Sequence, residues 1–240
     1  MNVAIFLVGL VRTFRETYPY FRKTILLPNS RHNIDLYLTF WNKTHQRPDK
    51  VTGVKFSPNL QKVTPKSEFV DKSEVLDLYQ PKDYLVLNYD RFESVFQKRA
   101  RDLVRRVRWT TTGHQVIKNG FFSQFYAWNA GYKYLLMSKR YDIILKTRFD
   151  VFFRQPLNLD TFNPYHMNAG AWNGKYISDF VLISNSDNMR YLMLTPFSYL
   201  QDGSFDNLDF GLVPEKYLTF LCKKNKISVN NSMTSPIILR

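Results

Sequence analysis

The sequence predicts an α/β protein whose mostly parallel central sheet is flanked by helices. Short apolar runs typical of strands alternate with longer segments of helical periodicity, which indicates strands joined by helical crossovers. The 240 residues suffice for one large domain. With only 9 glycines and no internal repeat, nothing marks a flexible linker. We therefore expect residues 1–240 to form a single domain.

In the first third of the chain, the sequence predicts two strands and one helix. Residues 3–8 form an apolar run that ends at Gly9, and a helix follows it. Residues 34–40 predict the second strand. The polar stretch 43–68, which contains three prolines, predicts a long loop with at most one short strand near 54–56.

The middle of the chain is richer in helix. We predict a short helix at 73–79, a strand at 84–87, a basic amphipathic helix at 91–109, a second long helix at 120–140 and a strand at 142–147. The helix at 120–140 carries a stripe of large apolar residues at helical spacing, which is more typical of a core than of a binding surface: Phe121, Phe125, Trp128, Tyr132 and Leu135.

The last third returns to shorter elements. An apolar strand is predicted at 176–183 and a helix at 188–199. The next helix, at 214–224, begins with a proline, which suits the first helical turn. Residues 227–229 and 237–239 predict short closing strands.

The chain is strongly basic, with a formal charge of +14. This charge suits a polyanionic partner, such as nucleic acid, an anionic membrane surface or a phosphorylated substrate, or it reflects a compositional bias towards lysine. The basic face of the 91–109 helix is either a binding surface for such a partner or a solvated face: Lys98, Arg101, Arg105 and Arg106.

The single cysteine, Cys222, excludes an intrachain disulfide and predicts a buried thiol in a reducing compartment. The apolar start at residues 3–11 is too short to span a bilayer and lacks signal-peptide flanks. We therefore expect a cytoplasmic protein without a transmembrane segment. Its basic helix would allow a peripheral association with a membrane.

The strongest chemical signal is the stretch YDIILKTRFDVFF at 141–153. Its apolar front half predicts a buried strand. Lys146, Arg148 and Asp150 then follow on alternate positions, so they project from one face of an extended chain. Ligands of open α/β sheets bind at the carboxyl ends of strands. The cluster is therefore either an ion pair between Arg148 and Asp150 or the floor of a site for a charged ligand.

Two further positions follow predicted strands in the same way. Gly9 allows a backbone to approach a ligand closely, and Arg12 with the following helix start favours an anion. The alternative is an ordinary strand-to-helix turn with a surface arginine. Trp41 follows the second strand.

Candidate groups for acid–base and metal chemistry are few. Asp179 is a single acid in an apolar strand, so it is either a general base or a capped or paired acid; Asp206 and Asp209 are weaker alternatives. The four histidines have no paired spacing, which argues against zinc. Asp150 is the best candidate ligand for Mg²⁺ or Mn²⁺. Neither a nucleophile elbow nor a P-loop motif is present.

Five short motifs occur in order along nearly the whole chain: GLVRTF at 9–14, DLYLTFWN at 35–42, KTRFD at 146–150, ISDF at 177–180 and PE at 214–215. In this combination the chain resembles a group of small GT-A-type nucleotide-sugar glycosyltransferases found in bacteria, large DNA viruses and other microbes. The resemblance implies a GT-A-like, Rossmann-like fold. For a viral member of that group, the compartment would be the host cytoplasm.

The resemblance also implies an activity, the transfer of a sugar from a UDP- or GDP-sugar donor to a hydroxyl acceptor on a glycan, a lipid or a protein. The implied donor-binding residues are Gly9, Arg12, Thr13, Trp41, Lys146 and Arg148. The alternatives are a protein that binds nucleic acid or an anionic surface, and an inactive scaffold of the glycosyltransferase type.

Glycosyltransferases of this type use an Asp-x-Asp motif to hold a divalent cation against the diphosphate. Here Arg148 stands at the first position, so either Asp150 alone holds Mn²⁺ or Mg²⁺, or Arg148 neutralises the phosphates directly. For an inverting enzyme, Asp179 is the expected base and Asp150 the second catalytic carboxylate. The alternative is a retaining enzyme, which does not require such a base.

Overall fold

The computed structural model describes residues 1–43, 69–92, 94, 114–172, 175–202, 214–233 and 237–238. Its strands are β1 (Asn2–Gly9), β2 (Asn33–Trp41), β3 (Asp83–Leu87), β4 (Ile143–Thr147), β5 (Val151–Phe152), β6 (Met167–Trp172), β7 (Tyr176–Ser184), β8 (Val229–Met233) and β9 (Ile237–Ile238). Its helices are α1 (Phe14–Phe21), α2 (Lys72–Tyr79), α3 (His114–Gly131), α4 (Ser186–Asp202) and α5 (Pro214–Lys224).

Seven strands form one central sheet in the order β3-β2-β1-β4-β7-β6-β8. Strands β3, β2, β1 and β4 are parallel to one another, and β6 is parallel to β8. Only β7 runs antiparallel to the strands on both of its sides. The predicted α/β architecture with a mostly parallel central sheet is thus confirmed. Strands β5 and β9 form a separate antiparallel pair.

Strand β1 lies in the middle of the molecule, because both of its faces are apolar. Ala4, Phe6 and Val8 face one core layer, which α3, α4 and α5 cover. The alternate residues of β1 face the other layer, which α1 and α2 cover. A continuous apolar run is what a strand covered on both faces requires.

The chain changes direction across the sheet between β1 and β4. From β1 it builds β2 and β3 on one side, and it then returns to place β4 on the other. Such a switch point opens a crevice outside the carboxyl ends of the two strands. Residues Leu7 and Thr147 are register partners, so the segments after β1 and β4 leave the sheet side by side.

Several predicted elements differ from the structure. The closing strand expected at 227–229 lies at Val229–Met233, and the strand expected at 237–239 pairs with β5 rather than with the central sheet. Strand β6 was not predicted, because its sequence MNAGAW is poor in β-branched residues; its pairing with β7 and β8 outweighs that weak propensity.

Some predictions concern segments that are only partly described. The predicted helix at 91–109 is described only at its start, where residues 91, 92 and 94 are helical. The short strand suggested near 54–56 lies outside the described residues. Within the part of the chain that the structure describes, no helix combines the length and apolarity needed to cross a membrane.

Candidate functional site

Lys146 lies at the centre of a charged cluster at the carboxyl end of β4, with none of its surface exposed. Its Nζ donates a hydrogen bond to the backbone oxygen of Asp179 on the neighbouring β7. The same Nζ lies 3.8 Å from the centroid of the Trp128 ring. Burial, which opposes the charged form, lowers the pKa of Lys146 to about 7. Lys146 thus forms the floor of the cluster, below any surface that a ligand could reach directly.

Arg148 and Asp150 form a bidentate ion pair above this floor. The Arg148 Nε donates to Asp150 Oδ1 at 2.8 Å and its Nη2 to Oδ2 at 2.6 Å. The Asp150 side chain is 2% exposed, whereas the Arg148 side chain is 21% exposed and packs against the Phe180 ring. Burial opposes the charge on Arg148, but the Asp150 carboxylate outweighs it and raises the pKa of Arg148. The guanidinium is therefore charged and partly open to a ligand.

Asp179 reaches the same cluster because β7 is antiparallel to β4. The first half of β7 then lies beside the carboxyl end of β4. Asp179 is 3% exposed, and its Oδ2 accepts a hydrogen bond from Gln124 Nε2 at 2.6 Å. Its Oδ1 is buried, and no donor for it is found among the described residues. The predicted acid on an apolar strand is therefore a buried carboxylate with one unsatisfied oxygen.

Glu215, which the sequence analysis did not single out as a functional residue, is the second carboxyl of this region. It lies in the first turn of α5, and α5 packs on β7 through Thr219, whose Oγ1 accepts from the Ile177 backbone N–H at 2.9 Å. Burial and the neighbouring charge of Asp179 raise the pKa of Glu215 to about 7. A protonated Glu215 can donate the hydrogen bond that Asp179 otherwise lacks. The only sequence signal was the Pro-Glu pair at a helix start.

The turn after β1 lies next to the cluster. Gly9 has φ +134°, a conformation that side-chain-bearing residues rarely adopt, and the space where a Cβ would lie is open. Arg12 is partly exposed, and Thr13 immediately precedes α1. The Thr17 hydroxyl on α1 donates to the backbone oxygen of Phe149, which joins the start of α1 to the Arg148–Asp150 segment.

Trp41 is the last residue of β2, as predicted. Its ring is 2% exposed and packs against the rings of Tyr89, Phe92 and Tyr126, with centroids 5.0 to 5.9 Å away. This gives Trp41 a clear packing role at the end of β2. Its contribution to donor binding stays a prediction.

The predicted cation site does not fit the arrangement of Asp150. Both carboxylate oxygens of Asp150 accept hydrogen bonds from Arg148, so a cation bound there would have to displace the guanidinium. Among the described residues, no group of three or more His, Cys, Asp or Glu side chains is placed to hold a metal ion. The other acidic candidates, Asp206 and Asp209, and the basic face of the 91–109 helix lie outside the described residues.

Comparison with protein-family models finds none that matches the chain, and no curated protein matches its sequence significantly. The function must therefore be argued from the fold and from the charged cluster.

Proposed function

We propose that the protein is a glycosyltransferase that moves a sugar from a nucleoside-diphosphate-sugar donor to a hydroxyl acceptor. The observation that carries this proposal is the position of Arg148, a charged and partly exposed guanidinium at the carboxyl end of β4. That position is the switch point of the sheet, where the parallel strands β1 and β4 separate. Ligands of open α/β sheets bind in the crevice at such a point.

The chemistry of the crevice suits a diphosphate. A planar guanidinium can bind two phosphate oxygens at once. The space where a Cβ on Gly9 would lie is open, and α1 begins a few residues later, so N–H groups at the helix start can face an anion. The transfer reaction places negative charge on the departing diphosphate, and fixed positive charge beside it lowers the barrier.

The carboxyl groups of Asp179 and Glu215 supply the second requirement of the reaction. When a hydroxyl attacks the anomeric carbon, its proton must go to a base. Asp179, the predicted base, and Glu215 lie together beside Arg148 and Lys146, and each of these two basic groups interacts electrostatically with both acids. Acid–base groups and diphosphate-binding groups thus share one crevice.

In this proposal Arg148 takes the electrostatic role that a divalent cation fills in related enzymes. The ion pair with Asp150 holds the guanidinium in place, as two hydrogen bonds fix its plane. The finer fold assignment, GT-A-like, belongs to the same proposal, and the parallel half of the sheet with its switch point supports it. A hydroxyl acceptor on a glycan, a lipid or a protein completes the reaction.

A thermal-shift screen tests donor binding. We expect UDP or GDP to raise the melting temperature without added metal; a ligand present at 100 times its Kd stabilises by about 2.7 kcal/mol. The same screen with Mn²⁺ distinguishes phosphate binding by Arg148 from phosphate binding by a cation at Asp150. An equal melting-temperature shift with and without Mn²⁺ supports Arg148, and a shift that appears only with Mn²⁺ supports the cation.

Arg148→Met is the informative variant, and Arg140→Met is its matched control. Arg140 also forms an ion pair with an aspartate, Asp187, but it precedes β4 and so lies at the opposite end of the sheet. We expect Arg148→Met to lose the nucleotide shift and Arg140→Met to keep it. No response to any nucleoside diphosphate, together with salt-sensitive binding of RNA, would refute the proposal and favour a nucleic-acid-binding protein.

A further inference from the structure

The two carboxyl groups of the crevice are unequal in their access to solvent. Asp179 is 3% exposed, with Gln124 on one oxygen and its own backbone oxygen bound by Lys146. Glu215 lies in the first turn of α5 and is only partly buried. Glu215 is therefore the more accessible of the two acids for an acceptor hydroxyl.

The unsatisfied Asp179 Oδ1 indicates what Glu215 does when the crevice is empty. A buried carboxylate oxygen without a donor costs free energy, and a protonated Glu215 can satisfy it. Helix α5 is held against β7, because the Thr219 hydroxyl accepts from the Ile177 backbone N–H and donates to the Glu215 backbone oxygen at 2.8 Å. The Glu215 and Asp179 side chains interact across this contact, so the two acids form a pair that can share one proton.

We infer that Glu215 is the catalytic base of the proposed transfer reaction and that Asp179 is a positioning residue that holds it. This inference rests on the proposed function and changes its residue assignment. The reaction balances as follows. The acceptor O–H bond breaks and its proton goes to the Glu215 carboxylate. The acceptor oxygen bonds to the anomeric carbon, and the bond from that carbon to the diphosphate oxygen breaks, with its electron pair leaving on the diphosphate.

The charged groups around Glu215 set its pKa. Burial and Asp179 on β7 disfavour its ionised form, while Arg148 after β4 favours it. The resulting pKa of about 7 allows Glu215 to accept a proton during the reaction and release it afterwards near neutral pH. Lys146, below the pair, is the other charged group that interacts with Glu215.

Donor hydrolysis tests this inference without knowledge of the natural acceptor, because water then serves as the acceptor. The probes are UDP-glucose, UDP-galactose, UDP-N-acetylglucosamine, GDP-mannose and GDP-fucose, and the readout is released nucleoside diphosphate. We expect Glu215→Gln to lower kcat about 100-fold or more, in the range of general-base catalysis, with an unchanged nucleotide-induced thermal shift. Asp187→Asn, another acid in the first turn of a helix, is the matched control and should keep full activity.

Two further measurements distinguish a base from a merely structural acid. Wild-type kcat should rise with pH through about 7, and Asp179→Asn should move this midpoint to lower pH because a neighbouring negative charge is removed. Formate should restore part of the activity of Glu215→Ala, since that position is partly exposed. Should Glu215→Gln fail to fold, Glu215→Asp replaces it, with the expectation of a lower kcat and a retained pH dependence.

The failures are distinguishable. A wild-type protein that neither binds nucleotides nor hydrolyses donors overturns the proposed function and this inference with it. Nucleotide binding with no hydrolysis, or hydrolysis that survives Glu215→Gln, overturns the inference and leaves donor binding intact. An Asp179→Asn variant with an unshifted midpoint, or a Glu215→Ala variant that formate does not rescue, also overturns it.

Discussion

Replacing Lys146 by methionine should stabilise the protein, and by more at neutral than at alkaline pH. Lys146 is fully buried, and its Nζ is held by a backbone oxygen and an aromatic face. Methionine has a similar length, no charge and no desolvation cost, so it suits the apolar layer around Trp128. The gain in stability depends on how strongly burial in the folded protein disfavours the protonated form of Lys146.

The magnitude follows from proton linkage. The pKa of Lys146 is about 7 in the folded protein, below its ordinary value of 10.5. Between those two values the unfolded chain binds the additional proton, so the stability of the wild-type protein rises with pH. Integrated from pH 7.5 to 9.5, the gain is about 2–3 kcal/mol. Methionine has no such proton, so its advantage over lysine should shrink by the same amount.

The assay is chemical denaturation of both proteins at pH 7.5 and at pH 9.5, with the free energy of unfolding extrapolated to water. The difference between the two proteins removes the contribution of every other titrating group. Lys133→Met, at an exposed position on the same side of the sheet, controls for the loss of a lysine as such. The gain in the free energy of unfolding from Lys146→Met should differ between the two pH values. An equal gain at both would refute the lowered pKa of Lys146 in the folded protein.

Three other substitutions test the crevice and the packing that supports it. Asp150→Ala should abolish release of nucleoside diphosphate from the donor while circular dichroism stays unchanged, because Arg148 loses the partner that orients it; retained activity would remove Asp150 from the mechanism. Gly131→Ala should cost about 1–3 kcal/mol in urea denaturation, because its Cβ would lie 2.2 Å from Thr39 Oγ1. The space around a Cβ on Gly9 is open, so Gly9→Ala should lose about 1–3 kcal/mol of stability only through the strained backbone at φ +134°. For either glycine, equal stability of wild type and variant would contradict the prediction.

The alternation of charges after β4 was predictable from the sequence, since residues two apart on an extended chain share a face. It offered an ion pair between Arg148 and Asp150 as one of two alternatives. The structure contains this pair in bidentate form, in the turn that follows β4 rather than along an extended strand. The same rule could not show that Lys146 lies below the surface, because its burial depends on Trp128 of α3.

Glu215 and Trp41 show the limits of sequence patterns. The pairing of Glu215 with Asp179 depends on how α5 packs on β7, a contact between residues 36 positions apart that no local pattern encodes. The sequence places Trp41 at the end of β2 but does not show which rings it contacts; in the structure three neighbouring aromatic rings pack against it. One of these, Tyr126, comes from α3, so its proximity also arises only on folding.

The reversed direction of β7 makes the crevice sensitive to changes in strand length. Lys146 and Leu182 are register partners, and this pairing fixes where Asp179 lies along β4. With that register kept, deletion of one residue between Asp179 and Leu182 would put Ser178 in the position of Asp179 and turn the Asp179 carboxylate to the other face of the sheet. The strands themselves would still pair. We therefore expect loss of one such codon to leave a folded protein in which Asp179 no longer meets Glu215.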